Sequence, residues 1–126
     1  MTNLRVLIVE DHLDTARLLG RLLAQRGYAV RVAGTVKEAL AALEEPVEVI
    51  ICDDGLPDGP GWDIMRLARE IRPVIGIAMS GCGLPEDIAR SREAGFAEHL
   101  VKPVDILKID ETIRNLWSGA EGAQLT

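Results

Sequence analysis

Strand-like apolar runs and amphipathic helical segments alternate five times along this chain, and that alternation leaves few folds open. Runs near 4–9, 29–33, 47–52, 74–79 and 97–101 read as strands; segments near 13–26, 36–44, 62–71, 86–94 and 105–117 read as helices. A helix after every strand is a crossover connection, so the strands run parallel and the crossovers are right-handed. Val6 to Val9, Val49 to Cys52 and Ile75 to Met79 are almost unbroken apolar stretches, as central strands covered on both faces require. The second strand carries Arg31 and the fifth carries Glu98 and His99, which suits the edges of a sheet.

Central first, third and fourth strands with outer second and fifth strands give the order 2-1-3-4-5. The expected fold is therefore α/β: a flavodoxin-like doubly wound sheet of five parallel strands with five helices. Helix positions have local warrants. Val36, Ala39, Leu40 and Leu43 recur at helical spacing, and Thr35 with Glu38 forms a capping box ahead of them. Ile64, Leu67, Ala68 and Ile71 repeat the spacing, as do Ala16, Leu19, Gly20 and Leu23, with Leu18 and Leu22 widening that stripe. Ile109, Ile113, Leu116 and Trp117 give the last helix a core face, and Gly27 and Gly95 stand where helices should stop. A chain of 126 residues suits one domain, expected over 1–117, with 118–126 as a flexible Gly- and Ala-rich tail.

Composition excludes several classes. A net charge of −6 disfavours direct nucleic-acid binding, which needs a basic face. No apolar run approaches the ~20 residues of a membrane span. Met1-Thr2-Asn3 leads straight into the first strand, so no signal peptide is expected and the location is read as cytoplasmic. Cys52 and Cys82 lack metal spacing; Cys52 reads as a small core residue, and nothing marks Cys82 as a nucleophile.

The chemistry lies where the strands end. Glu10-Asp11 follows the first apolar run, Asp53 the third, Ser80-Gly81 the fourth and Lys102-Pro103 the fifth. In open parallel sheets ligands bind outside the carboxyl ends of the strands. Three carboxylates, a hydroxyl and an amine at one edge suit a divalent cation beside a phosphoryl group on Asp53. Two unit charges ~4 Å apart repel by about 4 kcal/mol at an effective dielectric near 20, so the acids need a proton or a cation. Oxygen ligands without His or thiolate in the motif point to Mg²⁺. Asp54 is the rival acceptor. Alternation along a strand turns it to the opposite face from Asp53, and its bland reading is a solvated loop residue.

Val9-Glu10-Asp11, Asp53-x-x-Leu56-Pro57-Asp58-x-x-Gly61, Ser80-Gly81, Ala94-Gly95 and Lys102-Pro103, in this order, closely resemble the receiver domain of bacterial response regulators. The resemblance covers residues 4 to about 117. It implies Asp53 as phosphoacceptor, with Lys102 and Ser80 acting on the phosphoryl oxygens. It also implies Mg²⁺ held by Asp11, Asp53 and the Gly55 carbonyl, with Glu10 acting through water, and a cis Lys102-Pro103 bond. Ser80 and His99 occupy the switch positions. His99 departs from the family, which usually carries Tyr or Phe there. It is read as a substitute with the same gating role, or as an imidazole that makes switching pH-sensitive. His12 reads as a helix-start residue and Trp62 as packing near the site.

The resulting expectation is a phosphorylation-activated signalling switch, not an enzyme on external substrates. Its donor would be a histidine kinase or phosphotransfer protein, and its target a protein docking on the fourth helix, fifth strand and fifth helix. Neither nucleic acid nor membrane is an expected partner. Ser91 to Leu100 looks similar to receivers fused behind histidine kinases. Rival readings are a degenerate receiver that only binds partners, a flavodoxin-like cofactor binder and a metal-dependent phosphatase. The cofactor binder would need a phosphate loop where Glu10-Asp11-His12 stands. The phosphatase would need a cap that 126 residues leave no room for.

Overall fold

The computed structural model describes residues 4–125, with side chains to 118. Five parallel strands form one sheet: β1 (Arg5–Val9), β2 (Ala29–Ala33), β3 (Val49–Asp53), β4 (Ile75–Ser80) and β5 (Glu98–Val101). Their spatial order is β2-β1-β3-β4-β5, as the strand patterns imply. Helices α1 (Leu13–Ala24), α2 (Val36–Ala42), α3 (Trp62–Ile71), α4 (Pro85–Ala94) and α5 (Ile106–Leu125) connect and flank them. A two-residue antiparallel ladder, Gly55–Leu56 with Gly59–Pro60, follows β3. Among the described residues no helix is long and apolar enough to cross a membrane.

Strand alternation divides the core into two layers. Val6, Ile8, Val49, Ile51, Ile77 and Met79 pack with α1 and α5 residues such as Ala16, Leu23, Ile109 and Ile113. Leu7, Val9, Ile50, Cys52 and Ala78 face the other way, onto Ala39, Ile64, Met65, Ala68 and Ala94. The capping box forms at α2: Thr35 Oγ1 accepts from the Glu38 amide at 3.0 Å, while Glu38 Oε1 accepts from the Gly34 amide at 2.7 Å. Gly95 ends α4 in the left-handed region, φ 109°, where a side chain would be strained.

Three helix details differ from the sequence pattern. The buried face of α3 is Ile64, Met65 and Ala68, while Leu67 and Ile71 are exposed. A ten-residue helix with apolar groups on adjacent stripes can seat on either, and here the bulky thioether of Met65 fills the core. On α1, Leu18 is exposed instead of extending the core stripe. Finally, α5 does not stop at Trp117 but runs to Leu125. Once a helix is nucleated each residue adds a hydrogen bond, so the helix propagates past Gly119 and Gly122, with Ala120, Glu121, Ala123, Gln124 and Leu125 as the good helix formers of the stretch. Thr126 and residues 1–3 lie outside the described residues.

Candidate functional site

Each strand of the inner sheet delivers its polar group at the same edge, because the apolar ladder ends in register there. Val9 pairs with Cys52, so Glu10 and Asp53 leave neighbouring strands at one level. Asp53 pairs with Met79, one residue before Ser80, and Ser80 pairs with Val101, one residue before Lys102. Glu10 and Asp53 are nearly inaccessible, at 1% and 6%, and Asp11 is half-buried. The Lys102 ammonium sits between them, donating to Glu10 Oε1 at 3.0 Å and lying 3.1 Å from Asp53 Oδ1. The Lys102–Pro103 peptide bond is cis.

The electrostatics follow from this crowding. Burial pushes the Glu10 carboxyl up, and Asp53 beside it pushes further; Lys102 opposes both without overcoming them. Burial lowers the Lys102 ammonium, but Glu10 and Asp53 outweigh it and hold the amine above its ordinary value. Asp54 is exposed on the loop, and its carboxyl is raised by partial burial and then by Asp53. Burial, and after it the neighbouring carboxylates, lifts the Cys52 thiol to about 12, so it stays protonated and inert.

Two buried carboxylate oxygens, Glu10 Oε2 and Asp11 Oδ1, have no hydrogen-bond partner. The exposed His12 ring lies 3.6 Å and 3.4 Å from them and stands at the start of α1 without capping it. Ligand atoms of Glu10, Asp11 and His12 all fall within 4.8 Å of one another. Gly55, two residues beyond Asp53, pairs with Pro60 in the short ladder. Free lone pairs on hard oxygens fit a hard divalent cation. Beside this edge, between α1 and α5, opens an apolar groove of about 760 Å³ walled by Leu18, Leu19, Leu22, Val104 and Ile106.

Ser80 and His99 meet directly. The Ser80 hydroxyl lies 2.6 Å from His99 Nε2 and 2.7 Å from the Cys82 carbonyl, and His99 Nδ1 lies 3.2 Å from the hydroxyl of Ser91 on α4. The imidazole is thus turned in and bonded at both nitrogens, rather than poised outside. Trp62 opens α3 with the Arg90 guanidinium 5.6 Å from its ring. Two participants escape a reading of the sequence alone. Ser91 is buried on α4, and Asp58 accepts from the Val36 and Lys37 amides at 2.7 Å and 3.1 Å, tying the loop after β3 to the start of α2. A serine three residues before Ala94 on the inward face of α4 was the available signal for the first.

The class of protein is an α/β domain with an open parallel sheet that gathers three acids, a hydroxyl and an amine at its carboxyl edge. A family model for the response regulator receiver domain matches residues 6–114. The chain is 31% identical over 113 residues to an uncharacterized 14.6 kDa protein of Leptolyngbya boryana, covering 86% of each. It is 32% identical over 115 residues to the response regulator protein PilR of Pseudomonas aeruginosa, covering 90% of this chain but 26% of PilR. A CheY-like receiver domain protein from Methanospirillum hungatei superposes with a TM-score of 0.90 at 29% identity, covering 97% of this chain and 99% of that one. The chain belongs to the response regulator receiver domain family.

Proposed function

We propose that this domain is a phosphorylation-driven switch whose acceptor is Asp53, with a phosphohistidine on a histidine kinase or phosphotransfer protein as donor. The observation that carries this reading is the Lys102 ammonium shared between Glu10 and Asp53 at the edge where all five polar groups converge. An oxygen of Asp53 attacks phosphorus as the P–N bond to the donor imidazole breaks, and the bonding pair returns to the ring nitrogen. A carboxylate is a weak nucleophile, but such transfers depend chiefly on position and charge stabilisation. Burial fixes Asp53 in place, and Lys102 is free to turn from the carboxylates to the incoming oxygens. Glu10, Asp11, Asp53 and the Gly55 carbonyl would hold Mg²⁺, the first two through the oxygens that lack protein partners. Bound there, the ion supplies positive charge against the phosphoryl oxygens.

The transferred group brings about −1.5 to −2 charges. It would draw the Ser80 hydroxyl and Lys102 toward itself and bias the edge formed by β5 and α4. Moving such an equilibrium from 1:99 to 99:1 takes about 5.5 kcal/mol. Two or three charge-assisted hydrogen bonds at ~1.5–3 kcal/mol each are of that order. The downstream protein would dock on α4, β5 and α5, where Leu84, Val101 and Leu107 are exposed.

The test is intact mass after incubation with Mg²⁺ and acetyl phosphate, with Asp53→Asn and a chelated sample alongside. One phosphoryl adduct on the wild type with Mg²⁺ alone is expected. A stable adduct on Asp53→Asn would move the acceptor elsewhere. No adduct from either acetyl phosphate or a phosphohistidine donor would favour a binding module.

A further inference from the structure

We infer that His12 adds an imidazole ligand to the acidic edge, so that Glu10, Asp11 and His12 together form a site for a nitrogen-binding transition ion of the Zn²⁺ type. This rests on the reading above only in its consequence, that such an ion competes with Mg²⁺ for Glu10 and Asp11.

Three ligand atoms stand around a gap that none of them fills. Glu10 Oε2 and Asp11 Oδ1 are buried atoms without a hydrogen-bond partner. His12 Nδ1 lies 3.6 Å from the first and 3.4 Å from the second, too far for a good hydrogen bond to either. A tetrahedral ion bonded at ~2.0–2.2 Å holds its ligand atoms about 3.4 Å apart, close to the spacing the imidazole keeps from both acids. An octahedral Mg²⁺ at ~2.0–2.1 Å sets its ligands about 3 Å apart and takes oxygen. Among the described residues, Glu10, Asp11 and His12 are the group whose ligand atoms all fall within 4.8 Å of one another. Imidazole suits Zn, Cu and Ni, whereas carboxylate and carbonyl oxygens suit Mg and Mn, so His12 turns the outer side of an oxygen site toward the first set of metals.

The fold holds each ligand in place. Glu10 is 1% exposed, and Lys102 donates to its Oε1 at 3.0 Å, which pins the carboxylate and leaves Oε2 toward His12. An outer partner of this kind is what orients a metal ligand. His12 stands just before α1 in extended backbone, and its side chain makes no capping hydrogen bond, so the ring is free to turn back onto the acids. The ring is 75% exposed, which leaves the gap open to solvent for an entering ion and for a water as fourth ligand. A plain ion pair explains the arrangement less well. So exposed an imidazolium is screened by solvent, and it would leave both buried oxygens without a hydrogen bond.

Isothermal titration of Zn²⁺ into the whole chain reads the site, in a Cys82→Ser background that removes the exposed thiol. One ion per chain is expected. His12→Ala and His12→Lys should each weaken binding about 100-fold, the upper end of what losing even an outer partner costs a metal site. Lysine keeps a positive charge beside the acids but brings no imidazole, so it separates ligation from ion pairing. Added Mg²⁺ should weaken Zn²⁺ binding by competition. The chain has two histidines, and ring-nitrogen resonances tell them apart: on saturation with Zn²⁺, Nδ1 of His12 should shift while the ring of His99 stays. Equal affinity in His12→Ala and its parent would overturn the site. So would His12 resonances that do not move at saturation, or no binding of Zn²⁺ at all. Binding that depends on His12 but is not weakened by Mg²⁺ would uphold the site and count against Mg²⁺ on Glu10 and Asp11.

Discussion

Gly61 precedes α3 with φ −72°, a backbone any residue adopts, so conformational freedom is not why a glycine stands there. Sterics are. A β-carbon on Gly61 would overlap the sulfur of Cys52, while its distance to Cys52 Cβ would be an ordinary 3.8 Å. Cys52 is buried in β3 and has no flexible end to swing aside, so Gly61→Ala must displace the strand or the start of α3. Overpacking of this kind costs about 1–3 kcal/mol. Two smaller terms nearly cancel: stiffening the unfolded chain gains ~0.4–1 kcal/mol, and alanine is a poorer N-cap than glycine by a similar amount. The expected loss is therefore about 1–3 kcal/mol, or roughly 4–12 °C in Tm for a chain of this size. Removing the sulfur should remove the penalty. In a Cys52→Ala background, Gly61→Ala should be close to neutral, giving a coupling of about 1–3 kcal/mol in a double-mutant cycle read by urea denaturation. If Gly61→Ala costs the same in both backgrounds, the contact with Cys52 is not what excludes a side chain. Because Cys52 immediately precedes Asp53, the single variant should also slow phosphorylation by acetyl phosphate, and the double variant should restore it.

Asp110 joins α5 to the end of α1, accepting from the Tyr28 hydroxyl at 2.5 Å and from Arg26 and Arg114 at 2.9 Å and 3.2 Å. Burial raises its carboxyl, but Tyr28 and the two arginines outweigh that and hold it below its ordinary value. Asp110→Asn should cost about 1–2 kcal/mol near neutral pH, the arginines counting for little because solvent screens them. A carboxyl lowered by folding stabilises above its unfolded value of 3.8 and loses that contribution as pH falls through the folded one. The stability gap between wild type and variant should thus close below about pH 4 in acid-titrated urea melts; a gap that persists would refute the assignment. Tyr28 is the chain's single tyrosine, and burial, then Asp110, lifts its hydroxyl to about 12. Phenolate absorbance of the folded protein should therefore stay low well past the ~10 of free tyrosine, and rise earlier in Asp110→Asn. Trp62 lines the cavity shared by Asp53 and Asp54, so in a Trp117→Phe variant Mg²⁺ should change its fluorescence and chelator should reverse the change. Absence of that response in Glu10→Gln, with wild type responding, would place the ion among the acids.

What could be read from the residues is what burial writes into order along the chain. A strand covered on both faces must be apolar until it leaves the core, so Glu10, Asp53, Ser80 and Lys102 announce themselves by interrupting or following such runs. The sheet order could be read for the same reason, since Arg31 and His99 stand in the strands that lack that purity. The ties made across elements leave no such trace. Asp58 capping α2 and Asp110 meeting Arg26 depend on loops and helix ends brought together only by the finished fold, the second pair across 84 residues of chain. Helix rotation is the intermediate case. Periodicity permits α3 to bury Ile64 with either Met65 or Leu67, and only the fit against β3 and β4 chooses. In α4 the pattern chooses least, because alternating charges leave few apolar positions to define an inward face. That weakness is the reason the Ser91–His99 contact could not be foreseen. A helix with a full apolar stripe would have declared its inward face in the residues alone. In α4 the inward contacts are Ala94, Ser91, the half-buried Ile88 and the Arg90 guanidinium over Trp62, a set that only the finished fold selects.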